Sequence, residues 1–353
     1  MRRLRFLVVT GLIAVCVLSQ NRSLRAEDPA ALSKEDQDRV DSAISRSLDW
    51  LANHQEPDGC WKLKSTGSSA AGTSLAVMAF MAAGNVPGEG PYGARIDRGI
   101  RWVIEQQKPN GMIADQGTHG PMYTHGICTL MLAEALGMVE EADAPALRRS
   151  LEKAVTLILD SQSKPKGATN AGGWRYQPDS GDSDLSATGW QVLSLRAAKD
   201  VGCDVPAECI DRAIDYVKHC SVRDQRGFAY QPGQGQTPTL TGVGITCLEV
   251  CGAHLSKDAT GGADWLMTSP LAHNSNYFYY GVYYTGVGMH KMGGKHAEWN
   301  RKHLVNLMLP IQEGDGSWNP KHGGEDAAGP VYATALTVLA LAVDYGYLPI
   351  YQR

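Results

Sequence analysis

The sequence predicts an all-α fold, an (α/α)6 toroid of six inner and six outer helices. Three observations predict it: a glutamine–glycine–aromatic loop that recurs, apolar runs that follow the loops, and amphipathic segments that precede them. Composition fits an ordered chain. At 353 residues, 43% hydrophobic and 20% charged, general disorder is excluded, and 39 glycines without a Gly-X-Y period exclude collagen and predict many tight loops.

The loop template is glutamine, three residues, glycine, one residue, large apolar, as in Gln55…Gly59-Cys60-Trp61, Gln107…Gly111-Met112-Ile113 and Gln312…Gly316-Ser317-Trp318. Gly173-Trp174-Arg175-Tyr176-Gln177-Pro178 and Gly227-Phe228-Ala229-Tyr230-Gln231-Pro232 are two further copies, ~54 residues apart, a spacing within the range of helical-hairpin arrays. Six apolar runs open at Ala71-Gly72, His125-Gly126, Thr188-Gly189, Thr241-Gly242, Tyr280-Gly281 and Thr334-Ala335. Amphipathic helices carry Val40, Ile44, Leu48 and Leu51, then Ile96, Ile100, Val103 and Ile104, then Leu147, Leu151, Val155 and Ile158, then Ile210, Ile214 and Val217. Ser33 with Asp36 resembles a capping box before the first. A short fifth is expected near Gly261 to Thr268 and a sixth from Asn300 to Gln312. A helix apolar on every side must be enclosed, and one apolar along a stripe lies at the periphery. Six of each, alternating, describe two concentric rings, with an open solenoid as the structural alternative.

Residues 1–26 read as a secretory signal, with Arg2, Arg3 and Arg5 before the apolar run from Phe6 to Leu18; an uncleaved anchor is the competing reading. The expected product is an exported single domain, residues 27–353. Loss of five arginines takes its net charge from −4 to −9. An acidic chain without a basic, aromatic-lined groove is not expected to bind nucleic acid, and no later stretch has membrane-spanning length. Seven cysteines remain. Cys128, Cys247 and Cys251 read as buried small hydrophobes, whereas Cys203, Cys209 and Cys220 flank one helix and leave a disulfide open.

The Gln-x3-Gly-x-Trp loops resemble the repeats of squalene–hopene and oxidosqualene cyclases, with related repeats in protein prenyltransferase β-subunits. Gln55, Trp61, Gln312 and Trp318 are then structural clamps rather than ligand contacts. The class II terpene cyclase motif D-x-D-D-T-A is similar to Asp182-Ser183-Asp184-Leu185-Ser186-Ala187, with Leu185 in place of the last aspartate. The resemblance implies Asp184 as a Brønsted acid with Asp182 as its partner. The local reading is different: an aspartate before Leu-Ser-Ala-Thr caps a helix. Tyr279, Tyr280, Tyr283, Trp190 and His125 are the candidate ligand contacts, and core packing is the alternative for the tyrosines. Prenyltransferase zinc chemistry finds no Asp-x-Cys near the fifth unit, and His125 with Cys128 lacks a third ligand, so no metal or cofactor is expected.

Two function classes follow. One is acid-initiated cyclisation of an isoprenoid; the other is a non-catalytic toroid that holds a lipid, a glycan or a protein at the barrel mouth.

Overall fold

A computed structural model describes residues 32–115, 120–139, 141–321 and 324–352, so the expected signal at 1–26 lies outside the described residues. The inner helices are α2 (Ala70–Ala82), α4 (Pro121–Leu136), α6 (Leu185–Asp200), α8 (Pro238–Val250), α10 (Phe278–Met292) and α12 (Pro330–Leu341). The outer helices are α1 (Lys34–Asn53), α3 (Gly93–Glu105), α5 (Ala144–Gln162), α7 (Ala207–His219), α9 (Lys257–Thr268) and α11 (Gly294–Met308). Each inner helix packs on the next, and α12 packs on α2, which closes the ring and excludes the open solenoid. Every residue of α2 is buried, whereas α3 buries one stripe, Ile96, Gly99, Ile100 and Val103, as the two sequence patterns require.

The repeated loop is a clamp whose bonds explain its sequence. Gln55 Nε2 donates to Gly59 O and to Arg95 O of the next outer helix, both at 2.9 Å, and Arg98 donates back to Gln55 Oε1. Trp61 is fully buried; its indole donates to Leu51 O in the last turn of α1, and its amide donates to Thr73 Oγ1 on α2. One carbonyl at a helix end and one loop amide are thereby satisfied. Gly59 is held at φ +101, and a Cβ there would lie 2.8 Å from Arg98 O, so both conformation and space demand glycine.

The same set recurs where the sequence hid it. Gln162 Nε2 donates to Gly172 O and Cys209 O, and Trp174 donates to Ile158 O, so the third clamp is intact with residues 163–171 inserted between its glutamine and its glycine. The last copy closes the circle. Gln312 Nε2 donates to Gly316 O and to Ala43 O of α1, as earlier glutamines bind the outer helix that follows them.

Boundaries differ in two places. Ser33 caps α1 by accepting from Asp36 N, but Asp36 takes the Ser33 hydroxyl rather than its amide, so the reciprocal half of a capping box is not made. The sixth outer helix starts at Gly294 and stops at Met308, because Pro310 has no amide proton and the chain turns through a 3-10 segment, Leu309–Ile311. The fifth, α9, begins at Lys257 with Ser256 as its cap. Cys60, Cys128, Cys203, Cys209, Cys220, Cys247 and Cys251 are all free thiols.

Candidate functional site

Asp184 stands at the start of α6 in extended conformation, its amide bonded to Trp174 O at 2.9 Å. The carboxylate is wholly buried. Its Oδ1 accepts from Ala187 N at 2.8 Å and from the Ser186 hydroxyl at 2.7 Å, and Arg175 Nε lies 3.2 Å from Oδ2. Arg175 also pairs with Asp182, whose carboxylate is about half exposed, so one guanidinium joins both predicted acids. Burial pushes the Asp184 carboxyl above its ordinary value, against the Ala187 amide, Ser186 and Arg175, which hold its charge. The cap reading of Asp184 is therefore realised, in a site where burial opposes its charge.

Tyrosines surround this carboxylate. The Tyr123 hydroxyl of α4 is 2.6 Å from Ser186 Oγ, and Tyr280 of α10 donates to Ser186 O at 2.7 Å. Tyr176 and Tyr230 meet hydroxyl to hydroxyl, with the Arg175 guanidinium 4.8 Å and 5.6 Å from their ring centroids. Tyr123 and Tyr176 pack with centroids 5.7 Å apart. Tyr123, Tyr176, Tyr230, Arg175 and Ser186 are half-buried, so this end of the barrel is a polar, aromatic mouth.

Two further buried carboxylates cap inner helices at the same end. Glu325 accepts from the amides of Tyr279 and Tyr280 at 2.9 and 3.0 Å, and Asp115 accepts from Ala70 N and Ser69 Oγ, both at 2.6 Å. Burial raises both.

The other predicted contacts lie deeper. Trp190 stacks on Tyr283 at 5.3 Å and 10°, and meets Tyr284 edge-on at 5.3 Å. Since α6 and α10 are separated in the ring by α8, these rings meet inside the ring of inner helices and pack on each other. Trp190 and Tyr283 are thus core, and Tyr280 alone of this group carries its hydroxyl up to Ser186. Tyr279 is buried beside Glu325 and donates to Asn319 O. His125 uses both ring nitrogens internally: Nδ1 accepts from Ile113 N at 3.2 Å, so Nε2 donates to Ala154 O at 3.1 Å. It occupies the place that Thr73, Thr188, Thr241 and Thr334 hold in the other repeats, and burial drives its pKa down to about 4. Cys128 faces Ser74. Among the described residues no group of three histidines, cysteines or carboxylates is placed to hold a metal.

Sequence reading missed Tyr123, Arg175, Tyr176, Tyr230, Asp115 and Glu325. Tyr176 and Tyr230 carried a signal, since they occupy the same position in the two Gly-aromatic-x-Tyr-Gln-Pro loops.

Residues 29–128 match the squalene-hopene cyclase C-terminal domain family. No curated protein matches the sequence. Among solved structures, an α-1,6-mannanase of Salegentibacter sp. in complex with α-1,6-mannotriose shares the fold with a TM-score of 0.65 at 9% identity, over 86% of this chain and 98% of that one. A glycosidase superposes with a TM-score of 0.62 at 14% identity, over 90% and 100%. A type II terpene cyclase from Scytonema, in complex with the product merosterolic acid A, gives 0.59 at 12%, also over 90% and 100%. The sequence match to the squalene-hopene cyclase family covers residues 29–128, and the toroid fold is shared with the three solved structures over most of the chain. Identities this low establish a toroid and leave the reaction open.

Proposed function

We propose that this chain is an exported toroid that binds a glycan at the tyrosine-lined mouth of its barrel and does not protonate an isoprenoid. The observation that carries the reading is the environment of Asp184. A cyclase acid needs a neutral carboxyl aimed into a dry chamber, whereas Asp184 faces an amide, a hydroxyl and a guanidinium, all of which favour its charge. The rings of Trp190, Tyr283 and Tyr284 are buried and pack on one another in the barrel interior, which reduces the apolar space available to an isoprenoid chain. The mouth instead offers half-buried tyrosines with an apolar ring face and a polar tip, a surface suited to the C–H faces and hydroxyls of a sugar. Two of the similar toroids described above are a glycosidase and a mannanase, which fits this reading without establishing it.

Titration calorimetry of the chain without residues 1–26 tests it, with α-1,6-mannotriose and glucose oligosaccharides as probes, beside a squalene turnover assay. Heat of binding that is lost in Arg175→Ala, with no turnover, is the expected result. One observation favours the second reading, acid-initiated cyclisation with Asp184 as donor and Asp182 as partner: burial raises the Asp184 carboxyl. Squalene turnover that disappears in Asp184→Asn would replace the first reading by this one.

A further inference from the structure

The direction of each hydrogen bond around Asp184 follows from counting protons. An ionised carboxylate only accepts. Ser186 owns one hydroxyl proton, and it goes to Asp184 Oδ1 at 2.7 Å. In the 2.6 Å pair between Tyr123 and Ser186 Oγ, Tyr123 is therefore the donor. Burial pushes the Tyr123 phenol well above its ordinary range, so this inward-pointing proton stays on its oxygen at neutral pH. Toward the mouth, the Tyr123 oxygen is left with lone pairs alone.

Beside this pair, Tyr176 and Tyr230 meet hydroxyl to hydroxyl, and either can be the donor. The ring of Tyr176 neighbours that of Tyr123 at 5.7 Å and supplies an apolar wall next to the Tyr123 oxygen.

We infer that the mouth recognises its ligand through the acceptor-only phenol oxygen of Tyr123, which makes Tyr123 the specificity-determining residue. The inference rests on the glycan reading and sharpens it: a sugar hydroxyl donates to Tyr123. Groups that only accept, such as ketones, carboxylates and sulfates, are refused because lone pair would face lone pair. The carboxylates of Asp182 and Asp184 against the single charge of Arg175 act in the same sense.

The experiment titrates wild type, Tyr123→Phe and Ser186→Ala with α-1,6-mannotriose and with derivatives in which single hydroxyls are replaced by hydrogen. In wild type, removal of the hydroxyl that meets Tyr123 weakens binding about tenfold. Tyr123→Phe binds the parent sugar about tenfold more weakly and no longer distinguishes it from that derivative. Ser186→Ala keeps the Ala187 amide on Asp184 but frees the Tyr123 proton, and it flattens the same discrimination even if the phenylalanine variant fails to fold. Variants that keep wild-type affinity and wild-type discrimination overturn the inference while the glycan reading stands. A wild-type protein that ignores mannotriose and the glucose oligosaccharides overturns both.

Discussion

The clamp loops and the barrel mouth are built from similar residues used in opposite ways. At Gln55, Gln162 and Gln312 every side-chain polar atom has a partner, each aromatic of the adjoining loop is fully buried, and the next outer helix supplies both a backbone carbonyl and an arginine to each glutamine. Around Asp184 the partners are mostly other side chains, several are half-buried, and a single guanidinium serves two carboxylates. The glutamine, glycine and aromatic that recur with the period hold the toroid closed; the mouth combines unrepeated residues, Tyr123, Arg175 and Asp184, with the paired tyrosines of two repeated loops, Tyr176 and Tyr230.

The largest effect expected lies on the clamp side. Trp318→Ala or Trp61→Ala should lower stability by about 3 to 5 kcal/mol in urea unfolding, through a cavity and an orphaned helix-end carbonyl, while binding per folded molecule stays unchanged. A loss of binding in the folded variant would break the separation between the two regions.

A buried carboxylate at the far end of the barrel supplies the next. Glu134 on α4 accepts from Ile350 N at 3.3 Å, leaves Oε1 without a partner, and is pushed up to about 8 by burial, with Asp200 raising it and Lys291 opposing. The folded value lies above the ordinary 4.5, so ionisation opposes folding. The stabilisation is complete below about pH 4.5 and is lost as pH rises through about 8, a swing of roughly 5 kcal/mol. Glu134→Gln should flatten that slope and be the more stable protein at pH 8; equal slopes in the two proteins would show that Glu134 is already ionised.

Smaller again is Gln312→Ala, which unties the last repeat from α1. It should cost about 2 kcal/mol, with faster amide exchange in α1 than in α5. The smallest concerns Asp184: Asn there should change stability by less than about 1 kcal/mol as an alternative cap, and Ala by about 1 kcal/mol.

The two regions also differ in how far the sequence reveals them. Periodicity exposed the ring, because each repeat needs the same glycine turn and the same aromatic plug. The third clamp escaped, since residues 163–171 separate Gln162 from Gly172 and the motif is complete only in space. The mouth was half legible. Asp182 and Asp184 stood out by their resemblance to an acid motif, but Arg175 and Tyr123, which set what Asp184 can do, come from another loop and another helix. His125 was read as a candidate contact, yet its imidazole does the work of a threonine hydroxyl in the equivalent repeats. The tyrosine run on α10 shows the limit of pattern reading: spacing placed it on an inner helix, and only the three-dimensional packing separates Tyr280, which reaches the mouth, from Tyr283 and Tyr284, which pack on Trp190 in the interior.

The amide, hydroxyl and guanidinium around Asp184 hold it as a charged carboxylate. Isotope-edited infrared spectroscopy with carboxyl-labelled aspartate, taken as the difference between wild type and Asp184→Asn at pH 7, tests it most directly. The expected difference contains a carboxylate band and no carbonyl stretch of a protonated acid. A protonated-acid band that belongs to Asp184 at pH 7 would contradict it and return the residue to the role of proton donor.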